Sequence, residues 1–211
     1  MTKKRYQGVS NDKERSTLKL IDAVGTIIKT KGYTGLTASN ISRAAGLSRR
    51  LITLYFGTVD NLIETYVKGK DYWLVASGNA VEMIKNNKGE NTREILESLL
   101  KNQLDYFFNE EEMQKIVLWQ ISQSTTIMKE VCDERELLSK HFFALADIEL
   151  QGQSIDLRAV AGLLVAGIYY MVLHAKSTDT PFCEIDINKP EGMERIKNAI
   201  SLILKQAYKN A

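Results

Sequence analysis

The residues of this chain whose types and spacing could do chemistry fall together in one stretch. It runs Thr37-Ala-Ser-Asn-Ile-Ser-Arg-Ala-Ala-Gly-Leu-Ser-Arg-Arg-Leu-Ile-Thr-Leu-Tyr-Phe. Ala45 is small where two helices would cross, and Gly46 is free to take positive φ in a turn. Leu47 supplies an apolar plug, and Ser48 a cap for the helix that follows. A helix-turn-helix needs these residues in this order. Its second helix presents Arg49, Arg50 and Thr53 on the outward side near its N-terminus, where a recognition helix meets base edges. An arginine so placed can donate two hydrogen bonds to O6 and N7 of a guanine. Arg43, on the solvent side of the preceding helix, is placed to add a phosphate contact. The chemistry these residues would support is recognition of double-stranded DNA, the alternative being an ordinary αα-hairpin with solvated arginines.

Charge supports that reading. Residues 1–60 carry eleven Lys or Arg against four Asp or Glu, a net +7, while the remainder carries 17 against 22, a net −5. A basic head on an acidic body is what a polyanion-binding module joined to a different kind of module looks like. An enzyme is not expected: no Gly-rich phosphate loop, nucleophile elbow or carboxylate motif is present, and Glu110-Glu111-Glu112 reads as a helix N-terminus favoured by the macrodipole.

The elements that must position the motif are helices throughout. Two prolines in 211 residues favour long uninterrupted helices. The spacing predicts helices over 12–31 (Leu18, Ile21, Val24 and Ile28, widened by Leu20 and Ile27), 37–45 and 49–55, the last with Leu51, Ile52 and Leu54 inside. It predicts a long helix from Val59 to about Asn86, a loop over 87–91, and a helix opening at Thr92. Further helices are expected over 111–122, 124–150, 155–176 and 191–208, giving nine and an all-α fold. Two domains follow: residues 1–58 for DNA binding and 59–211 as a helical body. No secretory signal pattern is seen at the N-terminus, which points to the cytoplasm. Cys132 and Cys183 lack metal-ligand spacing and are expected to be reduced there. The most apolar stretch, Ala159 to Leu173, is short for a bilayer span and reads as a helix covered by protein rather than by membrane.

Residues 12–66 resemble the N-terminal domain of TetR-family transcriptional regulators. The resemblance is carried by Gly32-Tyr33-Thr34-Gly35-Leu36-Thr37, Ile41, Ala45-Gly46-Leu47-Ser48, Tyr55-Phe56 and Asp60-Asn61-Leu62. It implies that Thr37 and Ser48 cap helices facing the DNA backbone, that Arg49, Arg50 and Thr53 face the groove, and that Tyr55 donates its hydroxyl to a phosphate. Three positions depart from the family pattern: Arg50 for Gly, Thr53 for Tyr, and Val59 for a phosphate-touching Lys. The resemblance also implies a cytoplasmic homodimer that reads a pseudo-palindromic operator and acts as a repressor released by a small ligand.

In the body, Ala159, Gly162, Ala166 and Gly167 are small enough for close helix approach. The last two helices are therefore the expected dimer contact, four of them forming a bundle across two subunits. Polar-tipped residues that could line an effector cavity are Trp73, Tyr106, Trp119, Gln123, His141 and Tyr169, with His174 beside them. The expected ligand is small and mostly apolar. Two histidines on different helices form no metal site, so no metal and no cofactor is expected. The competing reading is a constitutive dimeric DNA-binding protein whose body only dimerises.

Overall fold

Apolar residues at helical spacing, rarely interrupted by proline, leave the chain one way to bury its hydrophobic surface, which is helix against helix. The computed structural model describes residues 9–75 and 90–209. In chain order it contains α1 (Val9–Lys31), a 3₁₀ turn (Tyr33–Gly35), α2 (Ala38–Ala45), α3 (Arg50–Phe56) and α4 (Val59–Lys70). There follow α5 (Thr92–Asn109), α6 (Glu111–Ser122), α7 (Thr126–Glu149), α8 (Leu157–Thr178) and α9 (Pro190–Lys209). Among the described residues there is no strand, only an isolated bridge between Phe182 and Ile185.

The helix expected from Val59 to Asn86 is broken. Helix α4 stops at Lys70, Asp71 is extended at φ −73° and ψ 119°, and a new helical turn starts at Tyr72. The apolar spacing runs across this point without a signal, and Asp71 and Tyr72 are both buried where the helix breaks. The remainder of that expected helix, with Val81, and most of the 87–91 loop lie outside the described residues.

Two compact units result, one comprising Met1–Asp71 and Lys115–Val131, the other Tyr72–Gln114 and Cys132–Ala211. The first is centred on Leu20, Val24, Ile27 and Ile28 of α1, Ile41 of α2, Ile52 of α3, and Leu62, Ile63 and Val67 of α4, all buried. The buried stripe of α1 is rotated from the expected one, and Leu18 is exposed. Helix α4 shares this unit because its apolar face is covered by α1 and α3. Gly25 permits the approach: a Cβ there would stand 2.7 Å from the Tyr66 hydroxyl.

In the second unit α5 is covered by α8 and α9. Lys197 Nζ donates to Asp105 Oδ2 at 2.7 Å and Ser201 Oγ to Glu97 Oε1 at 2.8 Å, tying α9 along one side of α5. The Lys101 ammonium, with the Ser201 hydroxyl, holds the Glu97 carboxyl below its ordinary range. The N-terminus of α5 is capped from afar. Asn91 gives no side-chain cap; instead Glu149 Oε2 accepts from the Thr92 N–H at 2.8 Å and from its hydroxyl at 2.6 Å. The Thr92 proton being spent on Glu149, Tyr208 donates its own hydroxyl to Thr92 Oγ1 at 2.7 Å. Thr92 therefore receives the cap that the sequence suggests it provides.

Candidate DNA-reading site and effector region

The turn of the helix-turn-helix is built as its residue types require. Thr37 Oγ1 accepts from the Asn40 N–H at 3.2 Å and so caps α2. Gly46 takes φ 65° and ψ 31°, a left-handed conformation that glycine adopts without a Cβ penalty. The Leu47 N–H then reaches back to the Ser42 carbonyl at 3.0 Å, closing the end of α2. Ser48 Oγ accepts from the Arg50 N–H at 3.3 Å, at the first turn of α3. Two further groups, missed in the sequence, hold the other end of α3. Thr58 Oγ1 caps α4 through the Asn61 N–H at 3.0 Å, and Asn61 Nδ2 donates to the Phe56 carbonyl at 2.9 Å. A Thr three residues before an Asn, straight after Gly57, was the available signal.

With the turn fixed, α3 shows its outward face. Arg49, Arg50 and Thr53 are exposed, and Arg43 is exposed on α2. Their side chains are not equivalent. Arg49 Nη1 donates to Ser39 Oγ at 3.1 Å and Arg43 Nη1 to Asn40 Oδ1 at 3.3 Å. The Arg50 guanidinium has no hydrogen-bond partner among the described residues. Tyr55 is half-buried with Lys13 Nζ 5.9 Å from its ring centroid, which brings a cation from α1 to the end of α3. One expectation fails: Leu54, placed inside by periodicity, is 66% exposed. In a seven-residue helix Ile52 alone is fully buried and Leu51 partly so, and the short element has only one apolar side to offer.

The expected effector residues are divided between the two units. Trp119 lies in the first unit, buried and stacked on Tyr33 with centroids 5.7 Å apart and planes at 4°, and Gln123 of that unit is exposed. His141 is exposed on α7, with Nδ1 3.0 Å from the Leu137 carbonyl of its own helix. Neither Gln123 nor His141 is placed to line a buried cavity, since polar tips at helical spacing do not reveal which side of a helix is covered. Trp73, Tyr106 and Tyr169 do come into one cluster. Trp73 Nε1 donates to the Tyr169 hydroxyl at 3.2 Å, Tyr169 meets Phe107 at 4.7 Å, and Tyr106 meets Tyr72 at 5.6 Å between centroids. Tyr72, not among the expected effector residues, donates its hydroxyl to the Leu99 carbonyl at 2.8 Å, and burial pushes its pKa up to about 12. His174 stands apart against Tyr170 and Phe182.

Helix α8 carries the remaining surface of note. It is 22 residues long with a mean hydropathy of 1.6 over its most apolar window, yet little of that window is buried. Gly162, Ala166, Gly167 and Tyr170 are exposed, Leu163 is 76% exposed, and Leu202 and Ile203 of α9 are exposed as well. A Cβ at Gly162 or Gly167 would meet nothing within 4 Å.

A helix-turn-helix joined to an all-helical body defines the architecture, and solved structures share it. No family model matches the sequence, and no curated protein does. The fatty acid degradation regulator FadR from Bacillus halodurans is similar with a TM-score of 0.61 at 20% identity, over 90% of this chain and 94% of that one. The transcriptional regulator FadR from Bacillus subtilis, solved in complex with stearoyl-CoA, gives 0.59 at 17% identity over 89% and 96%. A TetR family transcription regulator from Marinobacter aquaeolei gives 0.62 at 13% identity over 92% and 98%. The chain has the all-α fold of TetR-family transcriptional regulators.

Proposed function

We propose that the chain is a homodimeric, cytoplasmic DNA-binding regulator, a repressor that a small and mostly apolar ligand releases from its operator. The observation that carries this is the recognition helix itself: α3 is fixed at both ends by caps and presents exposed cations and Thr53. Residues 1–58 read the DNA and residues 59–211 dimerise and bind the ligand, with α4 bracing the head. Arg50, which has no hydrogen-bond partner among the described residues, is the base-reading arginine, and Arg49 sets the approach of α3 to α2 through Ser39. Arg43 and Tyr55 face phosphates, Thr37 and Ser48 hold helix starts near the backbone, and Lys13 supplies a cation near α3 in place of the Lys missing at Val59.

Two copies bury what one leaves uncovered. The seam of Gly162, Leu163, Ala166, Gly167 and Tyr170 has helical spacing and small residues, and in a two-fold dimer it meets its own copy. Recognition helices about 34–36 Å apart, or a multiple of that, then enter successive major grooves of a pseudo-palindrome.

Coupling cannot run through an unbroken helix from Val59, since Asp71 interrupts it. Helices α6 and α7, by contrast, each begin and end in different compact units without interruption. A ligand that shifts either one changes the separation of the two heads, and both must fit one duplex. The test selects sequences from a random duplex pool, then titrates the recovered DNA with and without decanamide, a small and mostly apolar probe. The expected result is a pseudo-palindrome bound about 5- to 150-fold more weakly when ligand saturates the body. A pool with no two-fold symmetric consensus would refute the regulator reading.

A further inference from the structure

Two glutamines are buried in the second unit, and they differ in their partners. Gln114 Nε2 donates to the carbonyls of Phe107 at 2.7 Å and Phe108 at 3.1 Å. Gln103, in the middle of α5 and 0% exposed, has no hydrogen-bond partner at Nε2 or at Oε1 among the described residues. An apolar side chain would fill the same place without that cost, because a buried amide left unpaired loses its hydration and gains nothing. An orphaned polar group of this kind marks a partner that the folded chain does not itself supply.

Its surroundings say what kind of partner. One turn away along α5 lie Leu99 and Leu100 on one side and Tyr106 and Phe107 on the other, on the same helix face. Tyr106 and Phe107 are the α5 members of the aromatic cluster with Tyr72, Tyr169 and Trp73. Among the described residues no Lys or Arg is buried. Gln103 thus sets one donor–acceptor amide on the face that carries the rings, and the cations nearest along the fold, Lys101 and Lys176, are not buried.

We propose that Gln103 is the polar anchor of the effector site and that its carboxamide pairs with a neutral group that both donates and accepts hydrogen bonds, such as a primary amide, on an otherwise apolar molecule. This rests on the reading of the body as an effector domain. The neutrality follows from the inventory of bonds. A carboxylate only accepts, so it would leave Gln103 Oε1 unpaired. It would also bring a charge into a region with no buried cation. A primary amide meets both ends of the glutamine side by side. The apolar remainder lies against the ring cluster.

The experiment measures binding of decanamide, N,N-dimethyldecanamide and decanoate to the full-length chain by calorimetry and thermal shift, in the wild type and in Gln103→Met. Decanamide should bind the wild type about 5- to 10-fold more tightly than either other probe, the difference that lost hydrogen bonds of this kind make. Gln103→Met should abolish that preference and leave the melting temperature of the unliganded chain unchanged or raised. A wild type that binds none of the three, or that fails to distinguish them, overturns the proposal without reference to any variant. So does a Met variant that keeps the preference, or one whose unliganded chain melts several degrees lower, because Gln103 would then have partners within the protein. No DNA enters the measurement. A chain that prefers decanamide but selects no pseudo-palindrome keeps the Gln103 anchor and loses the regulator reading, and the converse result does the reverse.

Discussion

The helix-turn-helix head and the body differ in the groups they leave unsatisfied after folding. In the head, the polar atoms of the turn are paired: Thr37 with Asn40, Thr58 with Asn61, Ser48 with Arg50, and Asn40 Nδ2 with the Gly35 carbonyl. On its α3 face it presents the exposed cations Arg49 and Arg50. In the body, Leu163, Leu202 and Ile203 face outward while the Gln103 amide is shut inside without a partner. Apolar groups that face water and polar groups that do not are both costly, so each points to a missing occupant of matching chemistry. On the proposed reading that occupant is a polyanion for the head, a second copy for the α8 seam, and a neutral ligand for Gln103. The division of labour can therefore be broken one occupant at a time.

The largest effect is expected at the seam. Ala166→Glu and Gly167→Glu place a carboxylate on the exposed side of α8, where a single chain offers open space at Gly167, so the monomer should still fold. Against a second copy the same group is a buried, unpaired charge. Sedimentation should show monomers, and affinity for the full operator should fall by about 10²-fold or more, because each half-site is then bound without the other. A wild-type chain that is monomeric at micromolar concentration, with undiminished operator binding, would remove the second copy from the comparison.

The head comes next. Arg50→Ala should cost about 1–3 kcal/mol of operator binding and blunt the preference at one base position. Arg49→Ala should weaken binding with less change in preference, since Arg49 already donates to Ser39 and orients α3. Competition binding against a set of single-base operator variants separates the two. Equal loss of preference in both variants would erase the distinction between them, and no loss in either would reject α3 as the reading helix.

Much of this was legible in the sequence where one local rule decides the outcome. Gly46 is needed at positive φ, and Thr37 and Ser48 are capping types, so the turn follows from residue types and their order alone. What was not legible depends on which side of a helix is covered. Leu18 and Leu54 fit the apolar period and are exposed, and His141 and Gln123 look like cavity residues and are exposed too. Asp71 interrupts a helix whose spacing continues through it. Gln103 was invisible because a glutamine in a helix is usually a solvated one. Its burial is decided by tertiary packing around α5, which α8 and α9 cover.

The smallest effect is expected where the sequence misplaced a side chain. Leu54 stands one turn beyond Arg50 and next to Thr53, exposed on the helix proposed to enter the groove. The major groove offers one apolar feature, the 5-methyl of thymine, and an apolar side chain on the reading face is suited to cover it. Burying one such group is worth about 0.8 kcal/mol, roughly a 4-fold change in affinity. Operators in which each thymine in turn is replaced by deoxyuridine keep every hydrogen-bonding group and lose only that methyl. For the wild type, one symmetric pair of replacements should weaken binding about 4-fold per half-site, and for Leu54→Ala the same replacements should have no effect. Arg50→Ala should remain sensitive to them, since it removes a different contact. If every deoxyuridine operator binds the wild type as tightly as its thymine parent, Leu54 is an idle surface leucine and the reading face of α3 is polar throughout.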